Sequence, residues 1–163
     1  MRRIFPIALV VLSFAAASGA ADDLLSLELS ARGEGQQQTA RGQAWSSPAD
    51  LARPVLTARS RARLRIRWSV GNQEKTGSIP DVTLHFFLDR ENAIGERVPP
   101  KPGADVVYES ALVMDLAAHT TSSADFVLET PQPGNYLLRL ETIGAARTHG
   151  HEHFAAIDLK VVP

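Results

Sequence analysis

The sequence contains no cysteine among its 163 residues. Disulfides, thiolate metal ligands, iron–sulfur clusters, cysteine nucleophiles and a lipid-modified N-terminal cysteine are therefore all excluded. Methionine occurs only twice and aromatic residues make up only 6% of the chain. The stability of the folded chain must consequently come from packing, and the ligands of any metal ion must be histidines, carboxylates or other oxygen groups.

The chain has a single long hydrophobic run, from Ile4 to Ala17, which follows the basic residues Arg2 and Arg3 and precedes the small residues of 18–20. This order is typical of a secretory signal peptide, predicted here for residues 1–20. An uncleaved N-terminal anchor and a twin-arginine signal are the alternatives. We expect export to the periplasm or the extracellular space, with residues 21–163 forming one domain and no stable membrane insertion, because no second apolar run follows.

The charge balance is close to neutral. Of 17 basic residues, Arg2 and Arg3 belong to the predicted signal, which leaves 15 basic against 18 acidic residues and a formal net charge of −3 for the mature chain. Hydrophobic residues make up 44% of the whole chain and charged residues 21%, as in an ordinary globular domain. Weak acidity gives no reason to expect nucleic acid or an anionic membrane as the main partner.

Alternation of apolar and polar residues dominates the mature chain, and no long segment has the period of a helix. The pattern predicts about seven strands, with 33–50 as a polar surface loop or a weak edge strand. The predicted strands are 25–29, 63–70, 82–88, 106–116, 124–128, 136–142 and 154–162. Short strands separated by turn-rich segments indicate an all-β fold, a single antiparallel β-sandwich.

The segment Pro131-Gln132-Pro133-Gly134-Asn135-Tyr136 resembles the tyrosine corner of immunoglobulin-like and fibronectin-type-III-like sandwiches. The resemblance implies an Ig-like sandwich in which the Tyr136 hydroxyl bonds back to nearby backbone. It also implies a turn at Gly134 with a conformation that favours glycine, and it implies no activity, because this fold serves many functions. Within the strand that follows, Tyr136, Leu138 and Leu140 should face the core and the alternate residues should face outward.

All five histidines lie in the mature chain, and three of them, His149, His151 and His153, alternate just before the last strand. Alternate residues of an extended chain point to the same side, so a His-x-His pair can bind one metal ion. Imidazole favours copper and zinc, and blue copper is excluded because it requires cysteine. We expect a copper or zinc site of these three residues with His85 or His119. A polar loop without metal and a pH sensor are the alternatives.

Strand order supports this grouping. If the seven strands are A, B, C, C′, E, F and G of an Ig-like sandwich, the B–C, C′–E and F–G loops lie at one end. All five histidines would then gather at that end. Alternation nevertheless places His85 on the outer face of its strand and His153 on the inner face. Only a β-bulge would bring both to the same face.

Two surfaces are further candidates for binding. Five arginines alternate and should line one face: Arg59, Arg61, Arg63, Arg65 and Arg67. They either bind an anionic polysaccharide, a lipid A-like phosphate or an acidic partner, or pair with Glu28, Asp125 and Glu129 on neighbouring strands. On the other sheet, Phe87, Leu137 and Phe154 should face outward. They form either an exposed surface for a protein or envelope partner or a face covered by the polar segment.

No catalytic motif is present: the sequence has no Gly-x-Ser-x-Gly, no phosphate-binding glycine loop and no recognisable carboxylate pair. We therefore expect an exported, non-enzymatic binding protein, with transition-metal binding through the histidines as the leading function. The alternative is an envelope module that has a structural or protein-interaction role and needs no metal. Trp68, Phe86, Phe126 and Leu140 are expected in the core.

Overall fold

A computed structural model of the chain describes residues 11–13, 24–44, 53–74, 76–96, 105–143 and 153–163. Within these ranges all regular structure is β-strand, and no helix long and apolar enough to cross a membrane is present. The strands are β1 (Val11–Ser13), β2 (Leu25–Gly33), β3 (Gln36–Arg41), β4 (Gln43–Ala44), β5 (Val55–Arg59), β6 (Arg63–Asn72), β7 (Ile79–Glu91), β8 (Val106–Leu116), β9 (Thr121–Glu129), β10 (Gly134–Ile143) and β11 (His153–Val162).

The strands form two sheets. The first has the order β1-β9-β6-β2-β3, and the second has the order β4-β11-β10-β7-β8 with β5 also paired to β11. All pairs are antiparallel except β5 and β11, which run parallel. Because β1 lies inside the predicted signal peptide, cleavage near Ala20 would leave the first sheet with four strands.

One hydrophobic core lies between the sheets, and the alternation of each strand explains it. In β6, Leu64, Ile66, Trp68 and Val70 are buried while the intervening arginines are exposed. The same cluster contains Leu138 and other inward residues of the second sheet. Each fully buried large apolar side chain stabilises the fold by about 1.5–3 kcal/mol relative to exposure, so this shared cluster holds the two sheets together as a sandwich-like unit.

The predicted core residues lie in this cluster. Trp68, Phe86 and Leu140 are buried, and Phe126 is partly buried against the core. The rings of Phe86 and Phe126 meet edge to face, with centroids 5.0 Å apart. Such aromatic pairs contribute about 0.5–1.5 kcal/mol beyond the area that they bury.

The predicted strands are all present, and most are longer than the sequence pattern indicated. The polar segment 33–50 contributes an edge strand, β3, whose burial pattern has a single buried residue, Ala40. The sequence did not predict β5, which extends the second sheet beside the C-terminal half of β11. Both strands lie at sheet edges: β3 has a weak pattern with one buried residue, whereas β5 is only five residues long and has the exposed Val55 beside the buried Leu56 and Ala58.

The segment before β10 has the hydrogen bond that the tyrosine-corner resemblance implies. The Tyr136 hydroxyl donates to the Gln132 carbonyl oxygen at 2.7 Å, and the side chain is almost fully buried. The expectation for Gly134 was wrong, because only Gly35 and Gly95 among the described glycines have positive φ. A Cβ at Gly134 would lie 3.4 Å from the Tyr136 side chain, which is an ordinary van der Waals contact.

Candidate functional site

The outward face of the first sheet is rich in arginine. Strands β2, β3, β6 and β9 place five exposed arginines on it, together with three carboxylates; we call this surface the basic face. Its arginines are Arg32, Arg41, Arg63, Arg65 and Arg67, and its carboxylates are Glu28, Asp125 and Glu129. The formal charge of the face is therefore +2, on a chain whose expected mature charge is −3.

Only part of this positive charge is balanced by ion pairs. Arg65 lies 3.1 Å from Asp125, and Arg41 lies 3.9 Å from Glu28. Within the described part of the chain, Arg32, Arg63 and Arg67 have no carboxylate within 4.0 Å, although Glu129 lies opposite Arg63 and Asp125 lies opposite Arg67 in the strand register. The expected cross-strand pairing of the arginine row is therefore present for Arg65 and absent for Arg63 and Arg67 among these residues.

The other two arginines of the predicted row, Arg59 and Arg61, do not lie on the strands of the basic face. Arg59 belongs to β5, and its guanidinium lies 3.3 Å from Glu34 in the β2–β3 turn. The Arg59 backbone N–H also donates to the Glu34 carboxylate at 2.8 Å. Arg61 lies in the turn before β6 with φ of 63°. Of the predicted row, Arg59 and Arg61 thus lie at or beside turns, and the remaining three arginines lie on the basic face.

The outward face of the second sheet is buried around Phe87, Leu137 and Phe154, although Val107 and Val113 on the outward side of β8 are exposed. Of the two alternatives for these three residues, the exposed surface is therefore wrong. Phe87 and Phe154 are each 2% exposed, and Leu137 is fully buried. These residues therefore do not form an exposed apolar patch, and the strongest sequence-based support for a partner surface on this sheet is lost.

Charged side chains share that buried face, in what we call the buried charge cluster. Its members are Arg53, Asp89, Glu91, Arg139, Glu141 and Asp158. The Arg53 guanidinium donates to Asp158 at 2.7 Å and reaches Glu91 at 3.4 Å, and the Gly95 N–H donates to Asp158 at 3.0 Å. Arg139 pairs with Glu141, and its guanidinium lies 5.9 Å from the Phe87 ring centroid.

The cluster contains four carboxylates and two arginines, and burial raises the pKa of three of the carboxylates. Burial raises the pKa of Glu91 from 4.5 to about 7, against the opposing effect of Arg53. Burial also raises the pKa of Asp89, whose two carboxylate oxygens have no hydrogen-bond partner among the described residues, and that of Asp158. The cluster can therefore take up protons near neutral pH.

The histidines that the structure describes lie in three different places. His85 lies on the outward face of β7, where its ring contacts Phe87 with centroids 4.6 Å apart and its Nε2 lies 3.5 Å from Glu109. His153 is buried and alternates with the core residue Ala155, which places it on the opposite face of the sheet. The register shifts of the β7–β8 pair lie near Ile79 and Leu88, so no bulge moves His85 to the inner face.

His119 lies in the β8–β9 turn with φ of 55°. Ala111 is opposite His85, and β8 continues from there to Leu116 before the turn. At about 3.3 Å per residue, His119 is at least roughly 15 Å from His85 along the strand direction. The structure therefore does not bring His85, His119 and His153 together.

The remaining two predicted metal ligands, His149 and His151, lie outside the described residues. Among the residues that are described, no group of three or more histidine, aspartate or glutamate side chains could hold a metal ion. The expected copper or zinc site of the segment before β11 thus stays a prediction.

Sequence reasoning missed Arg32 and Arg41 on the basic face and the whole buried charge cluster. Arg32 precedes a hairpin turn and joins the face only through the pairing of β2 with β6. Alternation placed Arg139 and Glu141 on an outward face, but it gives no signal that this face is buried. A charged residue on the outward side of a strand ordinarily indicates solvent exposure.

Comparison with known proteins adds little. No family model matches the chain, and no curated protein matches it. Among solved structures, the chain is similar to a family 123 glycoside hydrolase from Clostridium perfringens, with 13% identity and a TM-score of 0.44. The match covers 69% of this chain and spans about a quarter, 24%, of that one. A similarity this low carries no argument about function.

Proposed function

We propose that the protein is an exported, non-enzymatic binding domain with an Ig-like β-sandwich fold, and that its basic face binds an anionic partner of the cell envelope. The single observation that supports this function is the exposed group of five arginines on one sheet face, three of which have no carboxylate within 4.0 Å among the described residues. Clustered arginines favour carboxylate, sulfate or phosphate groups, to which the guanidinium binds through two parallel hydrogen bonds.

The strand order supports the Ig-like assignment. The strand predicted as B, β6, lies between β2 (A) and β9 (E), and β10 (F) lies between β7 (C) and β11 (G). The hydrogen bond from Tyr136 to the Gln132 carbonyl fits the tyrosine corner of that fold. Export is supported by the basic N-terminus, the apolar run and the small residues that end it.

A direct test is the binding of labelled dextran sulfate, a simple polyanion, at increasing NaCl concentration. We expect binding at 50 mM salt that weakens steeply as salt rises, and a loss of about tenfold in affinity for Arg63→Gln/Arg67→Gln. The control Arg90→Gln/Lys160→Gln also removes two exposed positive charges, but from the second sheet. Equal weakening by both double variants, or no binding at all, would contradict the proposal.

Transition-metal binding is a second candidate, supported by the connection between β10 and β11. These strands pair as antiparallel neighbours as far as Glu141 and Phe154, and in the sequence His149 and His151 belong to the segment that connects them. Copper or zinc bound there by imidazoles would stabilise the folded state.

Thermal melting of the metal-free protein with added ZnSO4 or CuSO4 tests this candidate. We expect the melting temperature to rise with metal and the rise to disappear in His149→Ala/His151→Ala. His119→Ala is the control, because His119 lies in a separate turn. A melting temperature unaffected by either metal, or a rise that survives the double substitution, would exclude the site.

A further inference from the structure

At the centre of the basic face two arginines lie directly opposite each other, and the repulsion between their charges opposes folding. Arg32 of β2 and Arg65 of β6 are direct partners in the strand register, so their Cβ atoms are about 4.5–5.5 Å apart. Like charges placed directly opposite one another destabilise a sheet. Asp125 relieves only Arg65, and no carboxylate among the described residues lies within 4.0 Å of Arg32.

Two further arginines extend this pair along β6. Arg63 and Arg67 are the alternate residues on either side of Arg65, at about 6.6–7 Å spacing along the strand. The row that crosses the sheet at Arg65 consists of Gln37, Arg32, Arg65 and Val127 and has no acidic residue. Arg63, Arg65 and Arg67 therefore form a line of positive charge along β6, and Arg32 on the neighbouring strand adds a fourth charge beside Arg65.

The neighbours of this line are small polar groups on the β2 and β3 side, and two carboxylates on the β9 side, Asp125 opposite Arg67 and Glu129 opposite Arg63. Ser30 and Thr39 lie beside Arg67, and Gln37 lies beside Arg32. The only large apolar side chain exposed on these four strands is Val127. Hydroxyl and amide groups suit sugar hydroxyls, whereas a membrane surface would favour apolar side chains that insert and single-stranded nucleic acid would favour aromatic side chains that stack.

We propose that the basic face binds a linear polysaccharide that bears carboxylate or sulfate groups, with one acidic group between Arg32 and Arg65 and its neighbours at Arg63 and Arg67. This inference rests on the proposed anion-binding function and specifies the chemical class of its partner. A repeating polyanion neutralises the Arg32–Arg65 repulsion and engages all four guanidiniums at once. Its affinity should consequently depend on chain length.

The test is calorimetric titration of the full protein with four probes at one salt concentration. The probes are a heparin dodecasaccharide, a heparin disaccharide, a polyglutamate of matched charge, and vesicles of phosphatidylglycerol in phosphatidylcholine. We expect the dodecasaccharide to bind at least tenfold more tightly than each other probe. Arg32→Gln/Arg65→Gln should weaken dodecasaccharide binding at least tenfold, and Arg90→Gln/Lys160→Gln should leave it within twofold.

The outcomes separate this inference from the function on which it rests. Equal or tighter binding of polyglutamate or of the vesicles, abolished by Arg32→Gln/Arg65→Gln, would overturn the polysaccharide while keeping the anion-binding face. Dodecasaccharide and disaccharide of equal affinity would overturn the linear arrangement. No binding by any probe, or binding that both double variants weaken equally, would overturn the face itself. Circular dichroism of each variant verifies that it is folded.

Discussion

Tyr136 makes a hydrogen bond whose contribution a single atom change can isolate. Its hydroxyl donates to the Gln132 carbonyl at 2.7 Å, in a side chain that is only 2% exposed. Tyr136→Phe should lower the free energy of unfolding by about 1 kcal/mol, because the carbonyl loses its donor while the ring stays packed. Urea unfolding measures the difference.

Tyr108→Phe is the matched control for this prediction. Tyr108, the only other tyrosine in the chain, packs its ring against Phe86 and Phe126, and its hydroxyl has no hydrogen-bond partner among the described residues. Its replacement should change the stability by much less. Equal effects of the two substitutions would show that the hydrogen bond contributes nothing specific.

The buried ion pair of Arg139 and Glu141 is a second contact whose contribution to stability single substitutions can measure. Both side chains are almost fully buried on the same face of β10, where they form an ion pair. Arg139→Leu should cost about 3–5 kcal/mol of unfolding free energy, because Glu141 loses this cation in a buried position. Arg139→Leu/Glu141→Leu should recover most of the loss. A double variant as unstable as the single one would contradict this account.

At the scale of elements, the β2–β3 hairpin depends on two residues with left-handed backbone. Glu34 and Gly35, with φ of 48° and 79°, form the two-residue turn between Gly33 and Gln36. Positive φ at both positions matches the type I′ turn, whose twist fits antiparallel strands. This hairpin brings β3 and Arg41 onto the edge of the basic face.

Gly35→Ala should destabilise the protein by about 1 kcal/mol through backbone strain alone, since a Cβ at this position has no atom within 4 Å. Gly35→Asn should cost less, because asparagine tolerates the left-handed region better than alanine. Thermal melting of both variants gives the comparison. An alanine variant as stable as the parent would mean that the turn can change its conformation without cost.

The elements that could be predicted from the sequence are those with strong amphipathic alternation. The predicted bounds 106–116 match β8, and β6 was predicted from four apolar residues that alternate with arginine and serine. Strand β5 was missed because it is short and its exposed Val55 breaks the apolar–polar alternation. Strand β3 was left undecided because it buries only Ala40 and depends on hydrogen bonds to its neighbour. Arg41 belongs to β3, so its position on the basic face could not be predicted from the sequence either.

At the scale of the whole molecule, the sequence predicted which residues share a face but not which faces are covered. Alternation placed Phe87, Arg139 and Glu141 correctly on the outward side of the second sheet, yet all three are buried. Whether a face is covered depends on contacts between distant parts of the chain, which have no periodic signature. The pKa shifts of the buried charge cluster were therefore also beyond the reach of the sequence.

Those shifts make the stability of the molecule depend on pH. Burial raises the pKa of Glu91 from 4.5 to about 7 and also raises that of Asp89 and Asp158. Between pH 4.5 and about 7 the folded state then binds more protons at Glu91 than the unfolded state does. The contribution of this group to the unfolding free energy consequently decreases as the pH rises through that window.

We predict that Glu91→Gln removes this component, which is on the order of 1 kcal/mol or more. The amide stays neutral at every pH and keeps the size of the carboxyl group, so the variant should gain stability relative to the parent between pH 5 and pH 8. Urea unfolding at both pH values measures the gain, and Glu129→Gln, at an exposed position of β9, is the control. A difference between parent and Glu91→Gln that stays constant across this range would show that Glu91 releases its proton equally in both states. The buried charge cluster would then be a fixed structural network rather than a site of proton uptake.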